Sequence, residues 1–134
     1  RGAGMAKGAT DMALAYAMER KTFGKAIAEH QAIQLKLAEM STRAAAAALL
    51  VQEAAVKYDQ AERCDLEAGQ AKFFASESAV QNSLDAMRIF GGYSYSPEYE
   101  IERFYRDAPL LCIGEGTNEI QRMIIAKQMV ARAG

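Results

Sequence analysis

At 134 residues the chain has the length of one domain, large enough for a genuine hydrophobic core. Apolar residues make up 51% and charged residues 25%, a soluble globular balance, and a net charge of −1 gives no support to nucleic-acid binding through a basic surface. No apolar run approaches the roughly 18 residues of a membrane span; two isolated cysteines, Cys64 and Cys112, and one histidine, His30, supply neither a zinc site nor a histidine-based triad.

The first pattern in the chain is helical. After Thr10-Asp11, Ala13, Leu14, Ala17 and Met18 recur at helical spacing, giving a helix that ends near Arg20. Lys21-Thr22-Phe23-Gly24-Lys25 breaks the pattern, with Gly24 as the flexible point. A second helix is expected from near Glu29 to about Ala61, with Ile33, Leu37, Met40, Ala44, Ala47 and Leu50 or Val51 as its apolar stripe. The Ala44 to Ala48 run has a packing explanation, since small side chains let neighbouring helices approach closely. Asp65 is expected to cap a third helix running to about Phe90, with Leu66, Phe73, Phe74, Val80, Leu84 and Met87 buried, and Gly91-Gly92 ends it.

Tyr93 to Pro97 then reads as a loop, Glu98 to Asp107 as a short helix, and Pro109 as a break. Thr117 or Asn118 caps the final helix, which carries Ile120, Met123, Ile124, Lys127 and Val130; Asn118 and Gln121 have capping-box spacing. Strand signals are almost absent, so the expected fold is all-α, an antiparallel four-helix bundle. Its apolar supply is generous, and part of that surface is expected to meet other domains or subunits. Because the chain opens mid-pattern at Arg1, a fragment or an excised domain is expected, in a reducing compartment: bacterial cytoplasm or mitochondrial matrix.

The run Ile113-Gly114-Glu115-Gly116-Thr117 puts a carboxylate on a glycine hinge beside the N–H groups that open a helix. Those groups have no partners inside the helix and carry partial positive charge, which suits an anion, and a carboxylate held there could act as a base. From this pattern alone the plainer reading is preferred, with Glu115 a dipole-favoured surface residue and Gly116 a simple hinge.

Two separated segments decide between these readings. One is Glu19-Arg20-Lys21-Thr22-Phe23-Gly24-Lys25 with Glu29-His30-Gln31. The other runs from Gly91-Gly92 through Glu98-Tyr99, Glu102-Arg103 and Tyr105-Arg106-Asp107-Ala108 to Glu115-Gly116-Thr117-Asn118-Glu119-Ile120-Gln121-Arg122. Together, in this order and at helix-sized spacings, they make the whole chain resemble the C-terminal helical domain of acyl-CoA dehydrogenases. The resemblance implies that residues 1–134 are that domain alone, without the N-terminal helical and middle β-domains.

It further implies an FAD enzyme that oxidises acyl-CoA to trans-2-enoyl-CoA, an electron-transferring flavoprotein as acceptor, and a tetramer. It places the α-proton base at Glu115, with the Glu115 backbone N–H helping to hold the developing enolate oxygen. Arg20, Thr22, Phe23 and Gln31 match positions that touch FAD from a neighbouring subunit. Gly91 and Gly92 match a loop close to the cofactor, and Thr117 and Glu119 match FAD contacts beside the base. His30 has no catalytic role in this reading.

Three positions depart from the common family pattern. Arg88 stands where many members have Gln and is counted among the cofactor-binding positions, with altered contacts to the FAD adenosine expected, and Ser94 stands where the loop commonly has Gly. Gly114 stands where several straight-chain enzymes have Tyr lining the acyl pocket, so Gly114 and Gly116 are assigned to the substrate and a branched or bulky acyl group is expected. The isolated 134 residues are expected to fold and self-associate without dehydrogenase activity. An acyl-CoA oxidase-like enzyme and a non-catalytic helical interaction module are the competing readings.

Overall fold

Small residues set where the helices meet. The computed structural model describes residues 1–134 and contains five helices: α1 (Gly2–Glu19), α2 (Gln31–Asp59), α3 (Asp65–Phe90), α4 (Ile101–Ile113) and α5 (Asn118–Ala133). On α1, Ala6, Ala9, Ala13 and Ala17 are fully buried at helical spacing. A Cβ at Gly2 would lie 2.7 Å from the backbone of Ala75 on α3, and one at Gly8 would lie 2.9 Å from the Phe104 ring on α4. Helices this close cannot separate by a methyl group without losing their contact.

Cross-helix hydrogen bonds fix the directions. Fully buried Asn82 on α3 holds its amide nitrogen near the carbonyls of Ala6 (3.1 Å) and Met40 (2.9 Å) and the Thr10 hydroxyl (3.1 Å), sharing its two protons among these three acceptors, while its oxygen accepts from Arg43 Nε (2.7 Å). One side chain therefore joins α1, α2 and α3. The pairing of Gly2 with Ala75 and of Thr10 with Asn82 makes α1 parallel to α3. Met40 faces Asn82 and Lys57 reaches Glu67, so α2 runs antiparallel to α3. Cys112 and Asn118 both meet Lys72, and Arg132 meets Glu67, so α4 and α5 follow one another down α3. The bundle has four columns and five helices, because the fourth column is broken at residues 114–117.

Several sequence expectations need correction. Pro109 does not break the chain; it lies inside α4. It removes one backbone donor, whose acceptor would be the carbonyl of Tyr105, and Tyr105 is exposed to water, while buried Ile101 and Ala108 pin the helix ahead of it. Asp65 is the first residue of α3, not its cap: Cys64 stands at the cap and Asp65 accepts from Arg63 at 2.7 Å. At the start of α5 the cap is Thr117, which accepts from the Ile120 N–H at 3.4 Å; Asn118 is buried and serves another purpose. The 21–26 segment forms a two-residue ladder, β1 (Lys21–Thr22) with β2 (Lys25–Ala26), turned by Phe23 and Gly24 at positive φ.

The largest correction concerns α3. Leu66, Phe73, Phe74, Val80, Leu84 and Met87 are only partly buried. The buried face is instead Gly69, Ala71, Ala75, Ser76, Ser78, Ala79, Asn82, Ser83, Asp85 and Ala86, finishing at Ile89 and Phe90. A helix with neighbours on several sides and close axial distances has room for small side chains inside, and its bulky ones turn outward. Elsewhere Leu14, Met18, Leu49, Val51, Met123 and Val130 are exposed outright, in keeping with the generous apolar supply.

The lower end of the bundle is stapled by charge. Glu67, 5% exposed, accepts from Arg132 through both carboxylate oxygens (2.7 and 3.0 Å) and from Lys57 (2.6 Å). Hydrogen bonds first from Arg132 and then from Lys57 hold its acid form off, lowering its pKa from the ordinary 4.5 to about 2. A depressed folded pKa contributes stability above the unfolded value, and that contribution is lost as pH falls through the folded value. Thermal unfolding followed by circular dichroism should show Glu67→Gln lower in Tm by roughly 5–10 °C at pH 7. That gap should close between pH 4.5 and 2; a gap independent of pH would place the staple elsewhere.

Candidate functional site

The features singled out in the sequence gather at two places, one at each end of α1. At its N-terminal end, the break between α4 and α5 opens onto a cavity of about 580 Å³. Ala54, Ala68, Ala71 and Leu111 give it an apolar wall, and Arg1, Lys72 and Glu115 are its charged rim.

The local backbone explains how Glu115 is presented. α4 ends at Gly114, whose N–H bonds the Leu110 carbonyl at 2.8 Å. Glu115 then adopts φ +58 and Gly116 φ +87, which lifts the chain away before Thr117 caps α5. For a glutamate the left-handed region costs roughly 1–2 kcal/mol, so the surroundings must enforce it. At Gly116 a Cβ would meet only the movable end of Gln121, Nε2 at 2.9 Å, so the demand for glycine there comes from the backbone angle. Gly114 is different: φ −68 and ψ 152 are open to any residue, and a Cβ would need the Leu110 carbonyl oxygen, 3.2 Å away, to give by a few tenths of an ångström.

The Glu115 side chain is 80% exposed and faces Arg1 at 3.4 Å, with Arg1 itself 82% exposed. Its backbone N–H donates to no carbonyl in the chain. Beside it, Glu119 is held below the usual carboxylate range, first by its own backbone N–H and then by the Thr117 hydroxyl. Gly114, Glu115, Gly116, Thr117 and Glu119 thus form one continuous ledge.

Below that ledge lies a polar knot that the sequence reading missed. Asn118, 2% exposed, accepts from Lys72 Nζ (2.7 Å) and Ser76 Oγ (3.0 Å), and its amide donates to Glu77 (2.8 Å). Lys72 also reaches the Cys112 carbonyl at 3.3 Å. Lys72 and Ser76 stand one turn apart on α3, a signal visible only once α3 is known to face the Glu115 segment.

At the other end of α1, a second cavity of about 570 Å³ brings together Arg20, Thr22, Gly91 and Gly92 with Tyr16, His30 and Tyr93. Arg20 has no carboxylate partner; its guanidinium lies over the Tyr93 ring, 5.6 Å from the centroid. His30 is structural: its Nε2 shares a 3.0 Å hydrogen bond with Thr22 Oγ1, and Phe23 stands edge-on to it at 6.1 Å. Phe23 is 97% exposed, at φ +51, on the hairpin tip. Gln31 opens α2, exposed and adjacent.

Gly91 closes α3 at φ +64 and ψ −138, a region open to glycine almost alone, with free space where a Cβ would be. Ser94, in place of a glycine, turns inward and donates to the Gly91 carbonyl at 2.7 Å, bracing the loop. Arg88 is separate: it folds back on α3 to Asp85 at 3.4 Å and does not line the cavity. α1 has 18 residues and so spans about 27 Å, which keeps the Glu115 ledge and the Arg20 cavity well apart within one chain.

Comparison with known proteins gives consistent results. Residues 1–130 match the family model described as acyl-CoA dehydrogenase, C-terminal domain. The 3-(aryl)acrylate reductase of Clostridium sporogenes is 51% identical over 95% of this chain and 34% of its own. The cyclohexane-1-carbonyl-CoA dehydrogenase of Geobacter metallireducens is 45% identical over 97% of this chain and 34% of its own. A caffeyl-CoA reductase-Etf complex subunit of Acetobacterium woodii is 45% identical over 96% and 34%. Among solved structures, butyryl-CoA dehydrogenase from Megasphaera elsdenii superposes with a TM-score of 0.94 at 39% identity, over 96% of this chain and 34% of that one. An FAD complex of PigA gives 0.92 at 32% identity, over 98% and 34%. The chain spans about a third of the length of the curated relatives it matches.

Proposed function

The chain belongs to the acyl-CoA dehydrogenase family, and from that premise we propose that it is the catalytic helical part of a flavin enzyme interconverting acyl-CoA and trans-2-enoyl-CoA. The observation that carries the proposal is the Glu115 ledge: a carboxylate in an enforced left-handed conformation, with a free backbone N–H, at the mouth of an apolar cavity.

An α-proton beside a thioester is a weak acid, so its base must be close, correctly aimed and dry. Aim is supplied by the broken fourth column. Dryness is not, because Glu115 is open to solvent on its outer side. In the proposed enzyme the acyl-CoA, the cofactor and the remaining domains cover that side. The Glu115 N–H is placed to donate to the developing enolate oxygen, where a fixed dipole stabilises the transition state.

The donor set suits FAD. Arg20 offers an unpaired planar fork fit for a pyrophosphate, and Gly91 and Gly92 leave their backbone open to close approach. Thr22, Phe23 and Gln31 border the same surface, while Thr117 and Glu119 border the ledge. FAD, when bound, would accept the β-hydride. Because the two half-sites lie a helix length apart, the proposed enzyme completes each centre from two chains, which accords with a homotetramer. Electron-transferring flavoprotein is the proposed redox partner, following the Etf complex named for one relative.

The substrate class follows from Gly114. The backbone there admits a side chain, yet none is present, so volume is left beside the reacting carbons. The three relatives are named for aryl, cyclohexyl and caffeyl groups, all ring-bearing. We therefore assign a ring-bearing or similarly bulky acyl group. Two of those relatives are named reductases, which favours a second reading in which the same step runs toward the saturated acyl-CoA. In that direction protonated Glu115 returns the α-proton.

Anaerobic titration of the full-length protein should bleach the flavin with ring-bearing acyl-CoAs, and Glu115→Gln should slow bleaching by at least about 100-fold with cofactor retained. Equal bleaching in both proteins would place the base elsewhere. Gly114→Tyr should shift the ratio of kcat/KM toward straight chains by roughly tenfold or more. Unchanged preference for short straight chains in both proteins would refute the pocket assignment.

A further inference from the structure

The strained Glu115 segment needs something to hold it, and the chain shows what does. Five residues separate the last α4 carbonyl that Lys72 reaches from the first residue of α5: positions 113–117. Lys72 Nζ donates to the carbonyl of Cys112 on one side of that segment and to Asn118 Oδ1 on the other. One ammonium therefore closes the loop at both ends, and it rises from α3, the most buried helix of the bundle.

Asn118 is fixed in turn. Its oxygen takes the Lys72 bond and faces Ser76 Oγ, and its amide is spent on Glu77. The Ser76 hydroxyl has one proton to give and faces both Asn118 and the Phe73 carbonyl at 3.0 Å, so Lys72 is the constant donor to Asn118. Lys72 also lines the same cavity as Glu115 and Gly114. No carboxylate pairs with Lys72 within 4 Å, so its charge is committed to this closure and not to an ion pair.

We propose that Lys72, acting through Asn118 and the Cys112 carbonyl, is a positioning residue for Glu115, locking the left-handed turn that aims the carboxylate into the cavity. This rests on Glu115 being the base. Removing the lock lets Glu115 relax toward ordinary backbone angles and sample directions away from the substrate. The chemical step slows while the surfaces that bind acyl-CoA and flavin stay in place. Misplacement by about 1 Å is enough to cost on the order of 100-fold in rate.

The test uses the flavin-loaded, full-length protein with an acyl-CoA that bleaches it. Lys72→Met should lower the rate of flavin reduction about tenfold or more, with KM within about threefold and flavin content unchanged; Lys72→Arg, which can reach both acceptors, should recover part of the rate. In a Glu115→Gln background Lys72→Met should change the residual rate by less than about twofold, because two groups acting as a unit are not additive. If Lys72→Met fails to assemble, Asn118→Ala carries the same comparison. A rate within twofold of wild type for these variants, or the same loss in both backgrounds, would overturn the proposal. Should Glu115→Gln itself reduce flavin normally, the assignment of the base fails first, and that outcome is read separately.

Discussion

The close approach of α1 to α3 is the constraint on which the rest depends. It is made by absence of side chain: Gly2 against the Ala75 backbone, then Ala6, Ala9, Ala13 and Ala17 along one stripe. With two helices this near, a fully buried asparagine can bind both of them and α2 at once. Dispersion and satisfied polar groups hold this core together, with little bulk hydrophobic volume. In the proposed enzyme the same contact sets function, because the two ends of the α1–α3 pair carry the two proposed half-sites. Glu115, Lys72 and Asn118 gather where α1 begins; Arg20, Tyr16, Phe90 and Gly91 gather where it ends.

The second consequence is the broken fourth column. α4 and α5 could have been one helix along α3, and in place of a continuous helix the chain spends four residues on a turn with two positive φ values. A helix interior would have buried the Glu115 N–H in its own ladder. The break frees it, and the Thr117 cap and the Lys72–Asn118 knot limit what that freedom costs. Large apolar side chains meanwhile stand exposed on α2 and α5. Such a surface suits a domain built to be covered by other domains and copies, and in the proposed enzyme that covering also dries Glu115.

Much of this was legible in the chain itself. Helix periodicity located α2, α3 and the end of α1 within a few residues, although α1 begins at Gly2, well ahead of the pattern read after Thr10-Asp11, and the positive φ at Gly24, Gly91 and Gly116 falls where glycine punctuates the pattern. Arg20 and Gly91-Gly92, far apart in sequence, do meet in one cavity. Other features were hidden for identifiable reasons. Periodicity ranks Phe73, Phe74 and Leu84 above Ala75, Ala79 and Ala86, because it weighs size and cannot see interaxial distance. Pro109 read as a break, because the exposure of Tyr105 is a tertiary fact. Lys72 carries no signal of its own in the sequence, and its role emerges only with α3 placed against the Glu115 turn.

In the proposed enzyme each catalytic centre draws Glu115 from one chain and Arg20 from another. Subunit mixing tests it most directly. Full-length Glu115→Gln and Arg20→Glu proteins are prepared separately and together, and acyl-CoA-dependent flavin reduction is measured. A centre shared between chains predicts that each variant is inactive alone, while random co-assembly restores about a quarter of wild-type activity, from the one intact centre in each mixed pair. Activity in the mixture no greater than the sum of the separate variants would contradict it, and would mean that both residues serve the same centre within one chain.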